Sequence, residues 1–386
     1  MQFGTQSRVI GGTAAFLLAA LVLVFLAYRS RAPERLPRPR NAAADAAYER
    51  ATVSHILGAP ACGSSFLCGF EFVRYEPSAL ELKWAAQAPS FAGRECAVME
   101  SERLDWQAQL EGVIASSGST SSLSVGRSPT WSTMVLRDQR TGLEQSVALE
   151  PLAGVMRDPR PICPGMALQP SVAANGPDSR DFTLLDPAFY RHIAKSLKVD
   201  ANSSKSELRI TFPPRAILFD LGATRWDPLK VTGFRWTVES YARFDIDFDA
   251  IYAWEASPTT TAAFFGPMPV HLAARTHFYN VPVSRPGSVG AGVADALAVL
   301  LSVARPEDFV VFKLDIDADV LEEEIALALL ADDALARRVD DFYFEHHSNT
   351  HGIMDAPWGE CVRSLHDSIL LFQAFRKRGI RAHSWP

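Results

Sequence analysis

Positive charge is the first thing this sequence has too little of. It carries 38 Lys and Arg against 44 Asp and Glu, a net charge of -6. Nothing in that balance gives a nucleic acid a reason to bind. Cysteine is sparse and odd in number, with five residues. Cys62 with Cys68 and Cys96 with Cys163 could pair and leave Cys361, but in any scheme one thiol stays unpaired. No G-x-G-x-x-G occurs, so the dinucleotide fingerprint is missing. No internal repeat is present either, which excludes solenoids and propellers.

What is present fits a globular body on a tether. A hydrophobic fraction of 48% and a charged fraction of 21% are ordinary, and 386 residues suffice for one large or two small domains. Val9 to Ala27 has no charge, and Thr13 is its only polar side chain. As a helix it would span roughly 28 Å, close to the hydrocarbon thickness. It is longer than a signal-peptide core, and no clear small-x-small cleavage site follows. The expectation is a single-pass anchor with its tail over residues 1–28, then an Arg/Pro/Ala-rich stem over 29–59. Arg8 stands alone before the span and Arg29, Arg31, Arg35, Arg38 and Arg40 follow it, which by the positive-inside rule would place the body in the cytoplasm. A short tail, a stem and a large body are instead the layout of Golgi and ER lumenal enzymes, and that lumen is the expected location. Asn202-Ser203-Ser204 is a glycosylation sequon there.

Residues 60–175 read as β-rich and of unassigned role. Phe70 to Tyr75 predicts a strand, and Met134–Leu136 and Ser146–Leu149 predict a hairpin around Asp138–Gly142. Ala115–Ser124 reads as a flexible loop. From residue 176 to 386 strands alternate with helices. The fold class expected is α/β, a Rossmann-like, mostly parallel sheet with helices on both faces, plus the N-terminal transmembrane helix.

That half is organised around Ala216-Ile217-Leu218-Phe219-Asp220-Leu221-Gly222-Ala223, set off by Pro213 and Pro214. A short apolar run between breakers predicts a strand buried on both faces. Its acid and glycine fall at the carboxyl end, where open α/β sheets bind ligands. Ala250 to Glu255 and Phe309 to Asp317 repeat the plan, so Asp220, Glu255 and Asp315 should line one sheet edge. An acid at the second strand's end can accept bonds from both hydroxyls of a ribose. The plainer reading is that acids often end strands as turn or cap residues. Asp319-Val320-Leu321-Glu322 has the capping-box pattern and predicts a helix running to about Leu330. Leu365, Ile369 and Phe372 predict another, stopped by Arg376, Lys377 and Arg378 and then Gly379.

A further cluster, Asp340-Asp341-Phe342-Tyr343-Phe344-Glu345-His346-His347, brings acid and imidazole groups to the end of the next strand. A histidine there could take a proton from an acceptor. With Asp315 or Asp317 the cluster could hold a metal instead, or it could be a solvated strand end. His351, Trp358, His366 and His383 are lesser candidates for the same cleft. Tyr252, Trp254, Phe342 and Phe344 read as core aromatics, with Trp254 beside Glu255 the one placed to touch a ligand.

Phe219-Asp220-Leu221-Gly222-Ala223, Trp254-Glu255 and Lys313-Leu314-Asp315-Ile316-Asp317 together resemble the motifs of S-adenosylmethionine-dependent methyltransferases of the FkbM-like branch. The resemblance covers residues 180–386. It implies S-adenosylmethionine as cofactor, held by Asp220, Gly222, Ala223, Trp254, Glu255 and Asp315. Catalysis would fall to Asp315, Glu345, His346 and His347. The acceptor expected is a small molecule or a glycan hydroxyl. Two other readings stand beside it. Asp315-Ile316-Asp317 after an apolar strand is also the D-x-D of glycosyltransferases, where the two acids hold Mn2+ or Mg2+ with a nucleotide-sugar. A catalytically inactive, membrane-tethered binding domain is the third.

Overall fold

The computed structural model of the chain describes residues 66–67, 70–91, 94, 97–98, 131–138, 141–152, 183–199, 214–288, 294–347 and 363–385. The chain divides into two units, Met1–Thr52 and Val53–Pro386, and every described residue belongs to the second. The expected anchor and stem, the Ala115–Ser124 loop, Asn202, His351, Trp358 and the five cysteines lie outside the described residues. Among the described residues no helix is long and apolar enough to cross a membrane.

The elements in order are β1 (Phe66–Leu67), β2 (Phe70–Glu76), α1 (Ala79–Phe91), β3 (Ser132–Asp138), β4 (Glu144–Leu149), α2 (Pro187–Val199), β5 (Ala216–Leu221), α3 (Gly233–Ala242), β6 (Ala250–Trp254), α4 (Thr261–Phe265), α5 (Val270–Ala273), β7 (Thr276–Tyr279), α6 (Ala296–Val303), β8 (Phe309–Leu314), α7 (Asp319–Ala331), α8 (Asp333–Ala336), β9 (Asp341–Phe344), α9 (Leu365–Lys377) and β10 (Arg381–Ser384). The apolar runs at Ala216, Ile251 and Phe309 are neighbouring strands, as their burial on both faces required. Six strands form one sheet in the order β10-β9-β8-β5-β6-β7. Every pairing in it is parallel. Counted from β5, that is the 3-2-1-4-5-6 order of a doubly wound fold, whose switch point lies between the first and fourth strands. Here those strands are β5 and β8.

Side chains alternate between the two faces of each strand. Ile217, Phe219 and Leu221 join Phe312, Phe342, Phe344 and helices α6 to α9 in one core layer. Ala216 and Leu218 join Phe309, Val311, Tyr343 and helices α2 and α3 in the other. The first layer carries an aromatic ladder: Phe219 stacks on Tyr252 at 5.0 Å and on Phe312 at 5.6 Å, and Trp254 on Tyr279 at 4.6 Å. Trp254 is 1% exposed, so the structure places it in the core rather than in a cleft.

β1 to β4 form a separate antiparallel sheet that includes the expected hairpin. It docks on the larger sheet through both layers, with Phe70, Met134 and Val147 in the second and Trp84 of α1 in the first. A buried ionic network ties the two sheets. The Arg376 guanidinium reaches Glu150 Oε1 at 3.0 Å, Glu81 Oε2 at 3.5 Å and the Tyr75 hydroxyl at 3.0 Å. Glu81 also accepts from Ser132, Leu152 N and Gln373. Arg376 lies in the last turn of α9, as its helix-stop pattern predicts, and is fully buried. His383 is buried as well, stacked on Tyr343 and bonded through Nδ1 to Glu150, so it lines no cleft.

Two outcomes test this network. Arg376→Met strands Glu81 and Glu150 without their cation. It should lower the urea-unfolding free energy by about 3–5 kcal/mol, and a loss under about 1 kcal/mol would show that the network does not hold the sheets together. Burial pushes the Glu150 carboxyl up, but His383 and Arg376 outweigh it and hold it below the ordinary range. A depressed acid stabilises the fold above its unfolded pKa, and that stability is lost as pH falls through the folded value. Unfolding midpoints recorded from pH 7 down to pH 3 should fall less steeply below about pH 4.5 in Glu150→Gln than in the parent.

Candidate functional site

β5, β8 and β9 end side by side. Leu221 pairs with Leu314, and Leu314 with Phe344. The residues that follow therefore meet at one edge: Gly222 after β5, Asp315 and Asp317 after β8, Glu345 and His347 after β9. Glu345 N continues the ladder by donating to Leu314 O at 3.1 Å.

One residue before each strand end, alternation directs Asp220 and Lys313 onto the same face as Asp315. Lys313 is 1% exposed and stands between the acids, 3.1 Å from Asp220 Oδ1 and 2.9 Å from Asp315 Oδ2. Trp385, which follows β10, donates from Nε1 to Asp315 Oδ2 at 2.9 Å and lays its ring 5.3 Å from the Lys313 ammonium. Burial alone would drive Lys313 toward its neutral form, but Asp220 and Asp315 outweigh it and keep it protonated. Asp220 is raised by burial, opposed by Lys313. Asp315 is pushed up to about 6, first by burial and then by the neighbouring Glu345 carboxyl, with Lys313 opposing.

Gly222 has φ +86°. A Cβ built on it would stand 1.5 Å from the carbonyl oxygen of Asp315. The glycine thus lets β5 and β8 close on each other at the switch point, while its N–H and that of Ala223 both donate to Trp254 O at 3.0 and 2.7 Å. Glu255, partly exposed, turns the chain after β6: its Oε1 accepts from Ser257 N at 2.6 Å. It lies close enough to Asp220 to raise that carboxyl. The structure therefore brings Asp220, Glu255 and Asp315 to one edge.

Beyond Asp315 lies a second group. Asp317, Glu345 and His347 offer donor atoms all within 4.8 Å of one another, as do Asp319, Glu322 and His347. Asp319 is not the N-cap of α7. That position is Ala318, with no side-chain cap bond, and Asp319 bonds His347 Nδ1 instead. Glu322 does not close a capping box either; its Oε1 accepts from Ile316 N at 2.6 Å. Burial pushes Glu322 up to about 8. Burial would lower His347, but Asp319 and Glu345 raise it to about 10. His346 points elsewhere, with Nδ1 2.6 Å from Ser368 Oγ on α9. His366 sits in the first turn of α9. The D-x-D pair thus turns two ways, Asp315 toward Lys313 and Trp385 and Asp317 toward His347, with Glu345 beside both.

Compared with family models, with curated proteins and with solved structures, the chain gives no significant match.

Sequence reasoning gave no role to Lys313 or Trp385. The signal for Lys313 was its place two residues before Asp315 in an otherwise apolar strand, hence on the same face. Trp385 had no signal, because its partners come from elements tens of residues away. Gly222→Ala should lower the unfolding free energy by about 2–5 kcal/mol, combining a strained positive φ with overpacking. Chemical denaturation measures it, and an unchanged midpoint would show that β5 and β8 do not close as described.

Proposed function

We propose that the sheet domain binds S-adenosylmethionine and transfers its methyl group to an acceptor hydroxyl. The observation that carries this reading is the switch point between β5 and β8 with Glu255 closing the adjacent strand β6. In this strand order the crevice at the carboxyl ends takes a nucleoside, and an acid ending the second strand accepts from its ribose hydroxyls. Asp220 Oδ2 adds to the fit: it is buried and has no hydrogen-bond partner among the described residues, an acceptor that a ligand's ammonium or hydroxyl would satisfy.

When bound, the sulfonium supplies the methyl group. The chain's own residues orient the partners and remove a proton. Asp315 is the carboxylate placed for that: its side chain is 24% exposed, against complete burial for Asp220. Trp385 and Lys313 fix its orientation. His347 is bonded on Nδ1 by Asp319 and turns Nε2 to Glu345, so it is not placed as the base. The apolar stretch Val9–Ala27 supports a single-pass anchor, which would hold the domain in a Golgi or ER lumen with sugar or glycan hydroxyls as acceptors.

The glycosyltransferase reading needs Asp315 and Asp317 on one cation, and the engagement of Asp315 by Lys313 and Trp385 speaks against it. Calorimetry of the detergent-purified full chain separates the two. S-adenosylmethionine should bind, and Glu255→Ala should weaken it about 10- to 100-fold, the value of hydrogen bonds to a charged group. No binding by the parent chain, or equal affinity in the variant, would overturn the reading.

A further inference from the structure

We infer that Asp317, Glu345 and His347 form a binding site for a divalent cation of the Mn2+ or Zn2+ class, beside the switch point. This does not rest on the methyl-transfer reading. Glu345 and His347 stand two residues apart after β9 with their side chains together, His347 Nε2 3.5 Å from Glu345 Oε1. β8 is the parallel neighbour of β9, which brings Asp317 alongside them. The donor atoms of the three lie within 4.8 Å of one another, a spacing one ion can bridge.

Carboxylates often gather on protein surfaces without an ion. Three features set this group apart. Glu345 and His347 are only 7% and 5% exposed, so they are fixed by their surroundings. The imidazole is oriented from behind: Nδ1 is bonded by Asp319, which leaves Nε2 directed at Glu345, 3.5 Å from its Oε1. A carboxylate on one ring nitrogen with the other aimed at further donors is the arrangement that holds a metal-binding histidine in one tautomer. The charges are also unequal. Four carboxylates, Asp315, Asp317, Asp319 and Glu345, gather around Lys313 and His347, while burial pushes Glu322 toward its neutral form. A divalent cation, taking the place of the His347 Nε2 proton, would offset that surplus from the side that exposed Asp317 leaves open.

The donor set narrows the ion. One imidazole with two carboxylates disfavours Ca2+, which takes all-oxygen shells, and suits Mn2+ or Zn2+. Two neighbouring protein oxygens, Asp319 and Glu322, hold the imidazole and the Ile316 amide and stay outside the inner set. A cation at this edge would act as a Lewis acid on an oxygen of a bound acceptor.

The test uses the full chain, stripped with a chelator and titrated with Mn2+ while the free ion is followed by electron paramagnetic resonance. Zn2+ is titrated in parallel by calorimetry. One site is expected. Asp317→Asn and His347→Gln should each abolish it. Asp319→Asn, which only frees the ring, should weaken it about 10- to 100-fold. Glu322→Gln, which keeps the bond from Ile316 N, should bind as the parent does. The melting temperature of the parent, but not of Asp317→Asn, should rise with added Mn2+. This reports the site even if S-adenosylmethionine does not bind, and it checks that the variant folds. Absence of binding of either ion by the parent overturns the proposal. So does binding that Asp317→Asn spares and Glu322→Gln removes, which would place an ion on Asp319, Glu322 and His347 instead.

Discussion

A lysine ammonium buried in the middle of a parallel sheet has to be compensated where it stands. Lys313 is in that position, and the rest of the carboxyl edge follows from how it is satisfied. Moving a charge out of water carries a penalty of several kcal/mol per ion, repaid only by close partners with good geometry. Asp220 on one flank and Asp315 on the other supply them, at 3.1 and 2.9 Å. Each acid is thereby committed. Asp220 keeps one oxygen on Lys313, and Asp315 is drawn back from solvent and handed on to Trp385. The strand β10 and the residue after it are therefore fastened to the first and fourth strands of the doubly wound order by a single cation and an indole.

The same solution recurs across that face of the sheet. Asp341 and Arg381, both fully buried, meet at 2.6 Å, and the hydroxyls of Tyr190 and Tyr241 close on Asp341 Oδ2 at 2.9 and 2.5 Å. Farther along, His383, Glu150 and Arg376 carry the line of charge onto the antiparallel sheet. The opposite face is built from stacked rings and aliphatic helices. Both layers bury apolar side chains, and the second adds directional contacts that accept one docking and no slipped alternative. That addition explains how a small four-stranded sheet can sit on the parallel sheet without a domain core of its own.

Much of this was legible in the sequence. Short apolar runs between breakers gave the strands, and the regular appearance of helices between them gave a parallel sheet, because both depend on local pattern alone. The edge of acids was legible for the same reason: a residue at the end of a buried run must fall at the end of a strand. What could not be read was where each polar group finds its partner. Arg376 looked like a helix stop because the pattern is right for one, yet its partners lie hundreds of residues earlier. Asp319 and Glu322 looked like a capping box, but Asp319 goes to the distant His347 and Glu322 reaches back past the cap to the Ile316 amide. Gly222 looked like a ligand-binding glycine, and its lack of a Cβ serves first to let Asp315 approach. For Arg376, Asp319 and Gly222 a local rule and a long-range contact met on the same group.

That competition bears on the D-x-D stretch most directly. In a strand, residues two apart share a face, so Asp315 and Asp317 would act together if the strand simply continued. It does not: β8 ends at Leu314, and Asp317 has φ +54°, a left-handed conformation that Asp tolerates better than most residues. The turn sends the second acid away from Lys313 and toward Glu345 and His347. The motif serves two sets of partners, a partly exposed, ion-paired one at Asp315 and a carboxylate–imidazole one at Asp317, with Glu345 between them. The spacing of the acids alone would have joined them, and the backbone at residue 317 is what separates them.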